Sequence, residues 1–224
     1  MPADSFLINS TLASGTAVGR LFHVVDSAGM IRRSFGGDGN FRRDERFVLR
    51  RRLSPAGPRS FWAAGEAEYR LERWAFDGAL ESWIVRRAPW FPTGGRSRFR
   101  REIAPTPEVQ AIRQDRDGNL WVVVTVADSR WAEQFTDRPD DQAFNGDFGR
   151  YLDSIIEVLD PVEGRLIAST RLDIFVRDFL DDDEVYGYRL DDAGVPLVDV
   201  IRLTIERSPR HERWLGTAQN RGIG

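Results

Sequence analysis

The sequence predicts an all-β protein, and three observations lead to that fold class. Short apolar runs recur along the chain and end at turns that carry Gly, Asp or Pro, which is typical of many-stranded antiparallel structure. The run at residues 120–126 is β-branched and aromatic and does not alternate, so we expect a strand that neighbouring sheets cover on both faces. No stretch has a convincing helical period, although the acidic segment 133–147 has room for one turn.

Composition sets the broad class. A chain of 224 residues and 25.6 kDa fits one large all-β domain with a substantial core. The net charge of −3 gives no overall field that attracts nucleic acid or an anionic membrane. The 32 basic residues are all Arg, which is typical of a GC-rich bacterial genome, and the absence of Cys excludes disulfides and thiolate chemistry. No apolar run is long enough for a membrane span, and the first 20 residues lack the regions of a signal peptide.

The predicted strands alternate with short turns along the whole chain. In order, the predicted strands are 6–10, 21–25, 31–35, 47–53, 61–64, 69–75, 80–86, 109–114, 120–126, 154–159, 166–172, 174–179, 184–190 and 197–206. The predicted turns that join them into hairpins are 26–29, 55–58, 77–78, 115–119, 160–164 and 191–194.

Four of these hairpins form a degenerate repeat, in which Asp-x-x-Gly or Asp-Gly ends one strand and an apolar strand follows. The segments are LFHVVDSAGMIRRSFG, LERWAFDGALESWIV, VQAIRQDRDGNLWVVVTV and IIEVLDPVEGRLIASTRL. Together they resemble six-bladed β-propellers of the NHL and TolB-like kind, over roughly residues 6–206. The resemblance implies blades that are four-stranded antiparallel sheets, with strands A to D running from the inside outwards.

A count of strands against this pattern indicates an incomplete ring. The first sheet has B, C and D, the second and third sheets (47–86 and 109–172) are complete, and the fourth has A, B and C. A blade takes roughly 40–50 residues, so a six-bladed ring would need on the order of 100 more. We therefore expect an incomplete six-bladed propeller, cut at its N-terminus, with one domain at 1–207 and a poorly ordered tail at 208–224. A small self-contained propeller or a sandwich is the alternative fold.

Two further expectations follow from this count. Open blade edges would invite self-association, because they expose unpaired backbone groups. The resemblance also implies full-length relatives that carry an export signal, so the periplasm or the cell surface stays open as the compartment.

The candidate ligand-binding residues lie on the two longest loops, 87–108 and 128–151, which propeller connectivity places on one face. Long loops on a rigid scaffold commonly carry function. Aromatic rings mixed with Arg and Asp suit a sugar, a peptide or an anionic ligand. The predicted binding residues are Trp90, Arg96, Arg98, Asp128, Arg130, Trp131, Arg138 and Asp140. The alternative is that Trp90 and Trp131 only pack the loops onto the sheets.

Several acidic motifs resemble cation sites without meeting their requirements. The motif Asp115-x-Asp117-Gly-Asn119 opens like a calcium loop, but Val126 stands where an EF-hand needs a bidentate Glu, so a hairpin turn is favoured. The carboxylates at 181–184 and 140–141 are more typical of solvated turns. His23 and His211 are too few for a His-based metal site.

No catalytic residue, metal site or cofactor is predicted, because the chain has no hydrolase, zincin or P-loop motif. The Arg-dense segment 42–59 alternates with apolar residues at 47–53, which indicates a strand with a charged edge rather than a nucleic-acid surface.

Two functions therefore remain in view. The first hypothesis is a non-enzymatic binding module for a partner protein, a small molecule or a carbohydrate. The second, which the resemblance implies, is a propeller hydrolase of the lactonase-like kind, or a lyase, that uses Ca²⁺ in the central channel. Propellers host both classes, so the fold favours neither.

Overall fold

The computed structural model of the chain describes residues 4–10, 19–37, 49–92, 103–135, 148–191, 193–206 and 219–220, which form four antiparallel sheets. Sheet 1 consists of β1 (Ser5–Asn9), β2 (Phe22–Asp26) and β3 (Ile31–Phe35). Sheet 2 contains β4 (Arg51–Pro55), β5 (Ser60–Gly65), β6 (Arg70–Ala75) and β7 (Leu80–Val85). Sheet 3 consists of β8 (Glu108–Gln114), β9 (Leu120–Ala127), β10 (Leu152–Asp160) and β11 (Arg165–Leu172). Sheet 4 consists of β12 (Val176–Phe179), β13 (Glu184–Leu190) and β14 (Pro196–Arg202).

Within each sheet the strands follow chain order, so every sheet is a meander of hairpins. The prediction of an all-β chain is confirmed, and the predicted strands group into sheets of three, four, four and three, with a short fifth strand added to sheet 2 near the C-terminus. The last predicted strand ends at Arg202 instead of residue 206, and the N–H of Leu203 still bonds the carbonyl of Asp183, one position beyond the Glu184–Arg202 pair. The described residues close into neither a barrel nor a ring.

Among the described residues, helical structure is limited to two short pieces in the long connection between β9 and β10. These are α1 (Trp131–Phe135) and a 3-10 turn (Phe148–Arg150), and residues 136–147 between them lie outside the described part. No helix in the described ranges is long and apolar enough to cross a membrane. In the predicted tail, β15 (Gln219–Asn220) pairs with the free edge of β7, and the rest of 208–224 lies outside the described residues.

The Asp–Gly repeat reflects the chemistry of the hairpin turns. In the turn between β8 and β9, Gly118 has a φ of +89°, a left-handed conformation that favours glycine. The Asp115 carboxylate accepts hydrogen bonds from the backbone N–H of Asn119 at 2.8 Å and from the Asn119 side chain at 3.0 Å. This motif is therefore a hairpin turn, as predicted.

Strand β9 is buried on both faces, as its sequence predicts. Leu120, Val122, Val124 and Val126 point to one side and pack with residues of sheet 2. Trp121 and Val123 point to the other side and pack with sheet 4. Sheet 3 therefore lies between sheets 2 and 4, and each interface is an apolar core.

Sheet 1 packs on the opposite side of sheet 2 through aromatic rings. The Phe22 ring lies 5.1 Å from the ring of Phe61 and 5.5 Å from that of Trp74, both edge to face, which is a favoured geometry for aromatic pairs. The four sheets thus stack in chain order. Strands β4, β8 and β12, the first strands of sheets 2, 3 and 4, pack beside one another.

One buried ion pair crosses the core between sheets 2 and 3. Glu157 on β10 is buried, and its carboxylate accepts two hydrogen bonds from Arg86, at 3.0 and 3.1 Å, and one from the Tyr69 hydroxyl at 2.8 Å. Burial, followed by the Glu157 charge, raises the pKa of Tyr69 well above its ordinary value, so the phenol stays protonated as a donor.

We expect Leu120→Ala to lower the free energy of unfolding by roughly 2–5 kcal/mol, because it opens a cavity in the core between sheets 2 and 3. The matched control is Leu180→Ala, since Leu180 is an exposed leucine, and it should change stability by less than about 0.5 kcal/mol. Urea denaturation measures both values. Equal losses would contradict the burial of β9 on both faces.

Replacing Arg86 should be more damaging than replacing its neighbour. Among the described residues, Arg86→Met leaves the buried Glu157 carboxylate with the Tyr69 hydroxyl as its partner, and we expect a loss of roughly 3–5 kcal/mol in urea denaturation. Arg87→Met removes an exposed arginine and should leave stability nearly unchanged. Similar effects of the two variants would show that the pair contributes nothing to the stability of the fold.

Candidate functional site

The two predicted loops leave the sheets on the same side. Strands β7 and β9 both end on the side where β8 begins, and there the N–H of Val109 bonds the carbonyl of Glu66 at the end of β5. Of the predicted binding residues on these loops, Arg96, Arg98, Arg138 and Asp140 lie outside the described residues.

Both predicted tryptophans pack against the sheets. The Trp90 ring lies 6.1 Å from the rings of Tyr69 and Phe91, at the edge of the core between sheets 2 and 3. Trp131 begins α1 and packs against the cluster of Tyr151 and Phe175. Their contacts match the alternative reading, in which the two rings hold the loops onto the sheets.

Asp128 holds the start of α1. Its side chain is buried, and one carboxylate oxygen accepts the backbone N–H of Arg130 at 2.6 Å, while its carbonyl accepts the N–H of Trp131 at 3.2 Å. Arg130 is exposed. The structure therefore gives Asp128 a role in the turn that leads into α1, in addition to any role in binding.

Asp128 also belongs to an acidic cluster that the sequence analysis did not identify. One carboxylate oxygen from each of Asp128, Asp153 and Asp173 lies within 4.8 Å of the other two. Ala127 pairs with Leu152, and Leu172 pairs with Ser154, so three neighbouring strand ends bring the carboxylates together. The cluster can be predicted from the register of these strands, which the sequence motifs alone do not give.

One carboxylate of this cluster, that of Asp153, is held by an arginine. Arg171 donates two hydrogen bonds to Asp153 and one to the carbonyl of Ala127. Burial raises the pKa of Asp153, the Asp128 and Asp173 charges raise it further, and Arg171 opposes the change. Because the folded pKa exceeds the unfolded value, Asp153 lowers stability as the pH rises through its folded pKa. A bound cation would offset this cost.

A second candidate site is a cavity of about 520 Å³ between sheets 3 and 4, on the opposite side of the stack. It lies between the β8–β9 turn, the β12–β13 turn and the segment that follows β14. Its wall combines carboxylates with apolar and aromatic groups. The lining residues are Asp115, Arg116, Asp117, Asn119, Trp121, Asp181, Asp182, Asp183, Leu203, Thr204 and Ile205.

Four of the five lining carboxylates have side-chain partners, and those of Asp115 and Asp182 are the closest. Asp115 accepts the indole N–H of Trp121 at 2.8 Å in addition to its bonds from Asn119, which fixes the wall of the cavity. The Asp182 carboxylate forms an ion pair with the Arg113 guanidinium at 2.8 Å, and this pair links the β12–β13 turn to β8.

A second arginine, Arg116, also binds Asp182 and joins the two turns directly. Arg116 in the β8–β9 turn places Nε 3.0 Å from a carboxylate oxygen of Asp182 in the β12–β13 turn. Its side chain is 87% exposed, so this ion pair is screened by water and contributes little to stability. The geometry nevertheless shows that a guanidinium fits against Asp182.

The two acidic turns are far apart in the sequence, and neither motif by itself predicts this cavity. Both turns follow the first strand of their sheet, and β8 packs against β12. The shared position in two consecutive sheets is the sequence signal that could have joined them.

Comparisons with known proteins add little to this geometry. No family model matches the chain, and no curated protein is recognisably similar to it. Among solved structures, the chain is similar to a protein of unknown function from Bacteroides caccae, with 11% identity and a TM-score of 0.41. The alignment covers 90% of this chain and 59% of that one, so this chain spans less than two thirds of that protein's length.

Proposed function

We propose that the chain is a non-enzymatic binding module that takes a guanidinium- or amine-bearing ligand, such as the arginine side chain of a peptide, in the acidic cavity. The Arg116–Asp182 ion pair carries this proposal, since a guanidinium from the chain itself already lies against a lining carboxylate. A ligand of the same chemistry can replace Arg116 at little cost, because the pair is exposed.

The charge of the lining supports a cationic ligand. Among the described residues, five carboxylates and Arg116 line the cavity, and Arg113 and Arg202 bind lining carboxylates from outside it, so carboxylates still outnumber arginines at the site. Trp121, Leu203 and Ile205 supply apolar wall, against which the alkyl stem of an arginine can pack. The volume of about 520 Å³ falls within the roughly 300–1,000 Å³ usual for ligand sites.

The scaffold of this module is proposed to be an incomplete six-bladed propeller of the NHL and TolB-like kind. Support comes from meander sheets stacked in chain order, with β4, β8 and β12 side by side. Strand β8 packs against both β4 and β5, whereas β4 packs against β1. That difference agrees with β1 being a B strand in a sheet that lacks its A strand.

Two kinds of variant test the proposed cavity with opposite expected signs. Asp117→Asn and Asp183→Asn each remove a lining carboxylate and should weaken the binding of an arginine tripeptide amide by about 2–5-fold per site. Arg116→Ala removes the internal competitor and should tighten binding by a similar factor. Isothermal titration calorimetry at low ionic strength measures these affinities.

The matched control is Glu163→Gln, which removes an exposed carboxylate from the β10–β11 turn, outside the cavity. It should leave the affinity unchanged, whereas a loss equal to that of Asp183→Asn would mean diffuse attraction to acidic surface. Weaker binding by Arg116→Ala would contradict the assigned role of Arg116.

A second candidate function is a Ca²⁺-dependent hydrolase of the lactonase-like kind, or a lyase. The cluster of Asp128, Asp153 and Asp173 favours it, because three carboxylate oxygens that lie within 4.8 Å of one another suit a hard cation. In this function the cluster would hold the cation, which would polarise a substrate carbonyl as a Lewis acid.

For this candidate we expect 1 mM CaCl₂ to raise the melting temperature at neutral pH. The rise should shrink as the pH falls through the raised pKa of Asp153, because the protonated acid does not ligate Ca²⁺. Asp173→Asn should abolish the rise, and Asp178→Asn, which alters an exposed carboxylate of β12 outside the cluster, should not. No rise in the wild type would exclude this function.

A further inference from the structure

The charges at the acidic cavity do not balance. Five carboxylates line it, and among the described residues the arginines that bind them are Arg113, Arg116 and Arg202. Arg202 lies closer to Glu184, at 2.6 Å, than to the lining carboxylate of Asp183, at 3.7 Å. Even when all three arginines are counted, two negative charges are left over at the site. A ligand with two positive charges would balance them, whereas a ligand with one would leave the site negative.

Asp117 is the lining carboxylate that no arginine holds. It is exposed in the β8–β9 turn, and among the described residues no side chain or backbone group bonds its carboxylate. Asp115, two positions earlier, already accepts hydrogen bonds from Trp121 and from Asn119. Asp117 can therefore bind a cation without giving up an existing bond.

Asp182 is the acceptor for a cation on the other turn. Arg116 binds it from the exposed side, at 3.0 Å, and a guanidinium from a ligand can take that position. Arg113 meanwhile binds Asp182 from β8 at 2.8 Å, so the carboxylate stays in place when Arg116 leaves. Each of the two turns thus presents one carboxylate to a ligand in the cavity.

The lining carboxylates are spread apart, which favours separate cations over one metal ion. Among the described residues, three carboxylates lie within 4.8 Å of one another at Asp128, Asp153 and Asp173, and no such group lines this cavity. A hard metal ion needs its oxygen ligands gathered at about 2–2.6 Å. As a sphere, the cavity of about 520 Å³ would be roughly 10 Å across. In an extended peptide, side chains two positions apart lie on one side at a spacing of about 6.6 Å, which fits within that width.

We propose that the ligand of the acidic cavity is an extended peptide segment of the Arg-x-Arg type. One guanidinium displaces Arg116 from Asp182, and the other binds Asp117. This inference rests on the proposed binding function and names the class of its ligand. The extended conformation directs both arginines into the cavity and the middle residue away from it. The alkyl stems of the arginines pack on the apolar wall that Leu203 and Ile205 form.

Isothermal titration calorimetry of the full chain with three acetylated tripeptide amides tests this ligand class at low ionic strength. Arg-Ala-Arg should bind about 3–5-fold more tightly than Arg-Ala-Ala, because it adds one exposed ion pair. It should also bind about 3-fold more tightly than Arg-Arg-Ala, which carries the same charge but directs its two arginines to opposite sides. Acetylation and amidation remove the terminal charges, so the peptides differ in their side chains alone.

Two variants locate the second cation. Asp117→Asn should abolish the preference for Arg-Ala-Arg, so that the three peptides bind alike. The matched control is Asp183→Asn, which removes an exposed lining carboxylate from the other turn. It should weaken all three peptides by a similar factor and keep the preference.

The outcomes separate this inference from the function on which it rests. Equal affinities of the three peptides for the wild type would overturn the Arg-x-Arg class and leave a site for a single arginine. A preference that persists in Asp117→Asn, or that disappears in Asp183→Asn, would overturn the assignment of Asp117. Binding of none of the peptides would overturn the proposed function and this inference together.

Discussion

The burial of β9 on both faces is the constraint on which the rest of the structure depends. A strand that alternates apolar and polar residues can face water on one side. Residues 120–126 do not alternate, and Thr125, the hydroxyl residue among them, is itself buried. Apolar cover is therefore needed in both directions, and sheets 2 and 4 supply it. Sheets 2 and 4 each have a second face, and the apolar residues on that face also need cover. Sheet 1 supplies that cover for sheet 2, whereas the outer face of sheet 4 carries exposed valines.

Within this apolar stack, the buried ion pair of Glu157 and Arg86 fixes the alignment of two neighbouring sheets. Apolar packing alone tolerates a shift between two sheets, because one aliphatic surface resembles another. A buried carboxylate tolerates no such shift, since a buried charge without its hydrogen bonds is costly. Arg86 and Tyr69 lie at the ends of the β6–β7 hairpin, and both must meet one residue of β10. The pair therefore fixes how sheet 2 is aligned on sheet 3, and it positions the loop that carries Trp90.

The sequence is informative wherever local chemistry decides the structure. The strand at 184–190 has its predicted bounds, and the Asp–Gly turns follow from the left-handed glycine and the capping aspartate. The two candidate sites depend instead on contacts between distant residues. Asp153 and Asp173 reach Asp128 only through the register of three strands, and Asp182 reaches Arg116 only because two sheets pack together. Each acidic turn by itself resembles an ordinary solvated turn, so its motif alone cannot reveal a shared cavity.

The acidic cavity and the core between sheets 3 and 4 are two parts of one interface. Trp121 and Leu203 belong to the apolar core and also line the cavity, so the core ends where the carboxylates begin. The β8–β9 and β12–β13 turns extend beyond the packed strands, and their like charges would drive them apart. Arg113, on β8 itself, offsets this repulsion by binding Asp181 and Asp182. Arg116 binds Asp182 from the exposed side, where water weakens the pair. The partly buried arginine therefore holds the interface, and the exposed one occupies a position from which a ligand can displace it without loosening the sheets.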